Sequence, residues 1–294
     1  MKKVLIIILI ALMGLVVFTG CDKSASFDSS KNIAVVVRED GSGTKSAFME
    51  LIGRKGKADP TGVIIQTGTA GILAEIKSNK YAIAYESLGY VTNDVKKLKI
   101  DGVECTVANI KAGTYAIARP LNIVYQQTII DGNAAAQAFM TYLASSDAQT
   151  IIAAEGYVTM YDSATAYARP SQAAALTGTI SISGSTSLQP LMEILAEEFN
   201  AIHTSVNITV AGGGSGTGYN NANNGVSTLG MISEEFNSTK AANCLCTIVA
   251  KDGIAIIVNK ANTVESLTLA QLKNIYDNEE AEATKLKLWS QIIG

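Results

Sequence analysis

The sequence predicts an α/β fold with mainly parallel sheets, and three observations predict it. Short apolar runs rich in β-branched residues alternate with stretches of helical period, the order that places a parallel sheet under helices. Gly-Ser-Thr loops recur where an apolar run hands over to a helix. The 294 residues are 48% hydrophobic and 17% charged, enough apolar material for one large core or two smaller ones. Net charge is −3 and aromatics are 6%. A nucleic-acid binder is therefore not expected, because neutralising phosphates needs a surplus of Lys and Arg.

The opening segment is not part of the fold. Lys2 and Lys3 precede an apolar run of 15 residues from Val4 to Phe18, followed by Thr19, Gly20 and Cys21. The run is shorter than the roughly 20 residues that a membrane-spanning helix needs, so residues 1–20 read as a secretory signal. An apolar residue, two small residues and a Cys resemble the lipobox of bacterial lipoproteins, with Phe18 where Leu is usual. That resemblance implies cleavage before Cys21, acylation of Cys21 and tethering to the outer face of the cell membrane. Residues 21–31, small and polar, read as a flexible tether.

The first expected strand is Ile33 to Val37, which runs through Arg38-Glu39-Asp40-Gly41-Ser42-Gly43-Thr44 into a helix with Phe48, Leu51 and Ile52 at helical spacing. The grammar repeats at Val63 to Ile65, the loop Gln66 to Thr69, a helix, and a strand within YAIAYESLGYV. Residues 133–154 read as helix, with Phe139, Met140, Leu143, Ile151 and Ile152 as its apolar side. Residues 161–178 lack a strong period, contain Pro170 and read as a surface connection. A second α/β run follows: strand Thr179 to Ile182, loop Gly184 to Ser187, and a helix with Leu191, Ile194, Leu195 and Phe199 inward. It continues through VNITV, the glycine-rich Gly212 to Gly218, and strands at Thr228 to Ile232 and Ile254 to Val258. The helix-like SLTLAQLKNIYD and the segment LWSQIIG come last.

Beyond Cys21 the cysteines are Cys105, Cys244 and Cys246. Three cannot all pair, and with a single His, His203, they lack the soft partners of a metal site. They read as buried apolar residues, and neither metal nor cofactor is expected. One His also weakens any Ser-His-Asp or His-metal catalysis.

The three loops Asp40 to Thr44, Gly184 to Ser187 and Gly213 to Thr217 carry the functional expectation. Glycine lets a backbone approach a ligand closely, and the first amides of a helix point outward at a positive dipole end. Ser and Thr hydroxyls add rotatable donors, so such loops suit a tetrahedral oxyanion without net positive charge. Arg38 offers bidentate donors beside them. Asp40 suits an anion that carries an OH, since a carboxylate can only accept; it is expected to favour phosphate over sulfate.

These segments resemble the substrate-binding proteins of bacterial phosphate ABC transporters, the PstS-like family. The resemblance rests on Arg38 to Thr44 and Ser183 to Ser187. GGGSGTG at 212–218, LGMISEEF at 229–236, DGIAIIVNK at 252–260, AIAYESLGYV at 82–91, LKIDGVE at 98–104 and ARPLNI at 118–123 agree with it. It implies a two-lobed periplasmic-binding-protein-like fold of type II, each lobe a mainly parallel sheet flanked by helices, with ARPLNIVY and DGIAIIVNK as hinge strands. One lobe would comprise residues 32–118 plus 254–294, the other residues 119–253. The family places the Gly-Ser-Thr-Ser half first, so the order here resembles a circular permutation that brings Asn32 and Gly294 close together. It further implies capture of inorganic phosphate by Arg38, Asp40, Ser42, Gly43 and Thr44 from the first lobe and Thr186, Ser187, Ser215 and Ser233 from the second. The filled protein would be a non-enzymatic monomer that delivers its ligand to membrane permease subunits. Two positions depart from the family: Thr228 stands where an acid is usual, and Glu234 follows Ser233 where Arg is usual. The competing expectations are a receptor for sulfate or molybdate and a secreted serine hydrolase. Against the latter, Thr217 occupies the last position of the nearest Gly-x-Ser-x-Gly candidate.

Overall fold

The computed structural model describes residues 26–169, 176–277 and 285–293. The expected signal segment 1–20, Cys21 and Pro170 lie outside them. In the first half, β1 (Ala34–Arg38), α1 (Gly43–Leu51), β2 (Ile64–Gln66), α2 (Gly68–Ser78) and β3 (Ala82–Ser87) follow the expected alternation. Then come β4 (Val95–Ile100), α3 (Val107–Lys111), β5 (Ala118–Tyr125), and the helices α4 (Gln127–Asp131), α5 (Ala134–Leu143) and α6 (Ser146–Ala154). The second half has β6 (Gly178–Gly184), α7 (Gln189–Ile202), β7 (Val206–Ala211), α8 (Ser215–Asn223) and β8 (Leu229–Ile232). It ends with β9 (Leu245–Asn259), β10 (Ser266–Leu267), α9 (Leu269–Ile275) and α10 (Ser290–Ile293).

The sheet order is β2-β1-β3-β9-β5-β8-β6-β7, with β4 on β9 and β10 on β4. Each end of this path is a parallel trio whose first strand in sequence lies in the middle: β2-β1-β3 and β7-β6-β8. Each trio is closed by an antiparallel strand, β9 against β3 and β5 against β8. The fold is thus two lobes of one topology, joined where β5 pairs antiparallel with β9. The first half of β9, from Leu245 to Gly253, pairs with β5, and its second half, from Ile254 to Asn259, with β3 and β4.

Two hydrophobic cores follow from this division. One packs Val36, Val37, Phe48, Ile72, Ile83, Tyr85, Ile256, Tyr276 and Trp289, with the Phe48 and Tyr85 rings stacked at 4.0 Å. The other packs Ile123, Phe139, Tyr142, Ile180, Leu195, Phe199 and Met231. Helix α7 buries Leu191, Met192, Leu195, Ala196 and Phe199, the three-and-four spacing of one face, and carries Pro190 in its first turn, where the missing N–H costs nothing.

Three local expectations change. The tether reading fails for residues 26–31: Phe27 packs 5.6 Å from the Tyr81 ring and 5.7 Å from Trp289, while the amides of Trp289 and Ser290 donate to the carbonyls of Lys31 and Ser29. One aromatic in a polar stretch is enough to dock it. The helical text over 133–154 is broken at Ala144, and Ser145 caps the second helix by accepting from the Ala148 amide at 3.4 Å. The surface connection sends Tyr167 inward, where its hydroxyl lies 2.9 Å from His203 Nε2. Among the described residues, no helix is long and apolar enough to cross a membrane.

Helix α8 sits unusually close to its sheet. A methyl added at Gly218 or Gly184 would strike the Met231 carbonyl, and one at Gly230 would strike the Gly218 carbonyl. These glycines set the height of α8 and so the position of Ser215 at its start. Gly218→Ala is expected to cost roughly 1–3 kcal/mol by overpacking against backbone. Urea unfolding checks this; an unchanged midpoint would contradict it.

Candidate functional site

Parallel α/β sheets present ligands to the carboxyl ends of their strands, where the strand order reverses. Here β1 ends at Arg38, β3 at Ser87, β6 at Gly184, β7 at Ala211 and β8 at Ile232, and the loops that follow β1, β6, β7 and β8 carry the expected site residues. The two lobes face each other along these ends. Helices α1, α7 and α8 begin there, so their N-terminal ends point into the same region.

Arg38 is 1% exposed and central. Its Nε and Nη2 donate to the two carboxylate oxygens of Glu39 at 2.8 and 2.9 Å, and Nη2 also donates to Thr186 Oγ1 of the other lobe at 2.8 Å. Nη1 lies 3.8 Å from Glu86 Oε2, and neither atom has a hydrogen-bond partner. Burial works against the guanidinium charge, but the Glu39 hydrogen bonds and the Glu86 charge hold its pKa above the ordinary value.

The hydroxyls meet across the interface. Thr44 Oγ1 and Ser187 Oγ are 2.7 Å apart, Thr69 Oγ1 donates to the Thr186 carbonyl at 3.2 Å, and the Gly216 amide donates to the Gly41 carbonyl at 3.0 Å. Ser215 Oγ accepts from the Ser233 amide at 3.0 Å and is 3.4 Å from Ser233 Oγ. Gly43 faces this pair: a Cβ there would overlap Ser215 Oγ and lie 2.8 Å from Ser233 Oγ. The absent side chain is what lets the lobes touch.

Of the expected residues, Arg38, Gly43, Thr44, Thr186, Ser187, Ser215 and Ser233 come together. Ser42 lies beside them and caps α1, its Oγ accepting from the Lys45 amide at 3.3 Å. Asp40 does not join them. Its side chain is 99% exposed and accepts from Lys45 Nζ at 2.8 Å, and Lys45 holds its carboxyl below the usual range. Gly41, at φ 84°, turns the chain between Asp40 and the buried Ser42, which leaves Asp40 outside the turn. The carboxylate beside Arg38 is Glu39 instead. The departures have local partners: Thr228 exchanges hydrogen bonds with Ser181, and Glu234 accepts from Lys240 at 2.8 Å.

Sequence reasoning also missed Thr69, Glu86 and the pair Arg119–Asp252. Thr69 had a signal, because Gln66 to Thr69 repeats the strand-loop-helix grammar. Glu86 had one too: a lone acid at the end of an apolar strand is costly unless it has a task. Its Oε1 accepts from the Ser87 amide at 2.8 Å, and it is fully buried.

Burial pushes the Glu86 carboxyl from 4.5 up to about 7, against the pull of Arg38 and Arg119. The folded protein then holds this proton more tightly than the unfolded chain does. Stability is fully present below about pH 4.5 and declines as pH rises to about 7, by about 3 kcal/mol. Glu86→Gln should remove this loss, so the urea-derived stability difference between variant and wild type should grow in the variant's favour across that window. Parallel curves would contradict it.

The matches to known proteins agree with this geometry. A profile of the PBP superfamily domain matches residues 24–147 and 169–293. The chain is 37% identical over 288 residues to the phosphate-binding protein PstS 2 of Streptococcus agalactiae, covering 94% of this chain and 96% of that one. It is 32% identical over 300 residues to PstS 2 of Streptococcus pneumoniae serotype 4, covering 99% of each. The crystal structure of the phosphate-binding protein of a phosphate ABC transporter from Streptococcus pneumoniae superposes with a TM-score of 0.69 at 31% identity, over 89% of this chain and 99% of that one. With two matched segments spanning most of its length and relatives alike from end to end, the chain belongs to the PBP superfamily domain family as a PstS-like member.

Proposed function

We propose that the chain captures inorganic phosphate between its two lobes and delivers it to the permease subunits of an ABC transporter. The observation that carries this reading is Arg38 Nη1, a buried cationic donor without a hydrogen-bond partner, set beside hydroxyls contributed by both lobes. An anion there would be held by Arg38, Thr44, Thr186, Ser187, Ser215, Ser233 and the amides of α1 and α8, donors that are already oriented. The names of the streptococcal relatives support phosphate as the ligand. The chain works by binding and release: His203 is tied to Tyr167 at the far end of α7, about 20 Å along the helix from the Ser187 end, and does not serve any serine of the cleft.

In the same reading residues 1–20 are a signal, Cys21 carries a lipid, and the protein works as a monomer on the outer face of the cell membrane. The lobes divide as residues 32–118 plus 254–294 and residues 119–253, which the membership of the two large cores supports except for Val158, which packs with the first. The order of the halves is a circular permutation. Supporting it, Asn32 bridges Leu288 in antiparallel fashion and the Ile33 amide donates to the Lys287 carbonyl at 2.7 Å, so the two ends of the folded part adjoin.

Isothermal titration with phosphate tests the function. Arg38→Ala should weaken phosphate binding at least about 100-fold, about 3 kcal/mol, because it removes the charged donor from a dry site. Unchanged affinity at a wild-type circular dichroism spectrum would sink the assignment. Gly43→Ala should keep the wild-type melting temperature yet lose at least about tenfold in affinity, since the added methyl holds Ser215 and Ser233 away. Small-angle scattering should then show no compaction with phosphate; normal compaction would count against closure at Gly43.

A further inference from the structure

We propose that Glu86 is a specificity-determining residue of the cleft, whose own protonation sets whether the site takes only a hydrogen-bearing tetrahedral anion or also a fully ionised one. The proposal rests on the reading of the cleft as a phosphate site.

Glu86 Oε2 and Arg38 Nη1 are both buried, both without hydrogen-bond partners, and 3.8 Å apart, too long for a hydrogen bond between them. One is an acceptor, the other a donor. At that distance the two charges pair with each other, but each atom keeps an unused hydrogen-bonding position, which an anion offering both an acceptor oxygen and an O–H would fill. The guanidinium reaches from Thr186 of the facing lobe, through Nη2, to Glu86, through Nη1. A tetrahedral anion against Nη1 thus has one oxygen to accept from Arg38 and, if it carries an O–H, one proton to give to Glu86. Phosphate near neutral pH has that proton and sulfate does not. With Asp40 turned to solvent, Glu86 is the carboxylate placed to make this distinction.

The groups acting on Glu86 are Arg38 on β1, Arg119 on β5 and Asp252 on β9, and Glu86 in turn bears on Tyr85 and Tyr90. Arg119 is engaged with Asp252 at 3.0 Å and with the Ser233 carbonyl at 3.0 Å, so its charge is largely committed. Burial then dominates and places the Glu86 carboxyl at about 7. Below that pH the carboxyl carries its own proton and becomes a donor, which suits an anion with acceptors only. Above it the carboxylate refuses such an anion, because two negative charges would face each other without a proton between them. The single imidazole, His203, is bonded to Tyr167 within the other lobe's aromatic cluster and does not account for a titration here.

Sulfate, fully ionised throughout, is the probe that separates titration of the protein from titration of the ligand. Isothermal titration of the wild type with sulfate at about pH 6, 7 and 8 should show affinity falling at least about tenfold from the lowest to the highest. Glu86→Gln, which keeps the shape and offers an N–H, should bind sulfate with no pH dependence, and its preference for phosphate over sulfate at about pH 8 should fall at least about tenfold. A wild-type sulfate affinity that is flat, or undetectable throughout, overturns the proposal. So does a variant whose preference stays within about twofold of wild type. Should the variant fail to fold, the wild-type sulfate profile alone decides. Phosphate titration of the wild type runs alongside: no phosphate binding at any pH would overturn the reading of the cleft itself, a result distinct from a phosphate receptor with pH-independent selectivity.

Discussion

The antiparallel pairing of β5 with β9 is the constraint on which the rest depends. Near the end where the strands pass between the lobes, Arg119 faces Asp252 in register, bonded at 3.2 and 3.0 Å with both side chains buried. Arg119 also donates to the Ser233 carbonyl, and Asp252 Oδ1 accepts from the Leu88 amide at 3.2 Å just past the end of β3. One ion pair therefore touches both crossing strands and both half-sites. A buried pair of this kind adds little net stability compared with an apolar pair, yet losing one partner costs roughly 3–5 kcal/mol. Its value is geometric: it fixes how the carboxyl ends of β3 and β8 lie relative to one another. Only two strands join the lobes, so rotation about them changes little in either core, and the cleft can open at low cost.

The site itself has little net charge. Arg38 is matched by Glu39 on two of its nitrogens and approached by Glu86 at the third. What remains for an anion is the Nη1 end of the guanidinium, a set of hydroxyls and the amides of helix starts. In a water-excluded cleft such fixed dipoles act in low dielectric, so a mildly acidic protein can hold an anion that its net charge would repel.

The two lobes share one topology, so the fold does not depend on which of them begins the chain. Each trio needs its first strand in the middle, a helix after it, and one antiparallel strand that has crossed over from the other lobe to close it. Either lobe can begin the chain if the other's ends adjoin, as Asn32 and Leu288 do. Close packing is borne by glycines: Gly184, Gly218 and Gly230 bring α8 onto β8 and β6, and Gly43 brings one lobe onto the other.

The strand and helix grammar was legible in the sequence because periodicity and Gly-Ser-Thr loops are local properties. Arg38, Gly43, Thr44, Thr186, Ser187, Ser215 and Ser233 were legible for the same reason, each lying at a strand end or in the loop or helix start that follows one. The exit of Asp40 was not, because the turn at Gly41 and the competing Lys45 decide where that carboxylate points. Residues 26–31 looked like free tether until Phe27 found Tyr81 and Trp289, a contact between distant parts of the chain. Glu86 stood in plain view as an acid at the end of an apolar strand, but a strand text carries no information on what lies opposite. The sequence by itself determined the α/β class, the loops and their anion-binding character, since these depend on neighbours within a few residues. The tertiary structure decided which carboxylate is buried beside Arg38 and which hydroxyls meet across the cleft. Those depend on the β5–β9 crossing, which brings together residues far apart in the chain, such as Arg38 and Thr186.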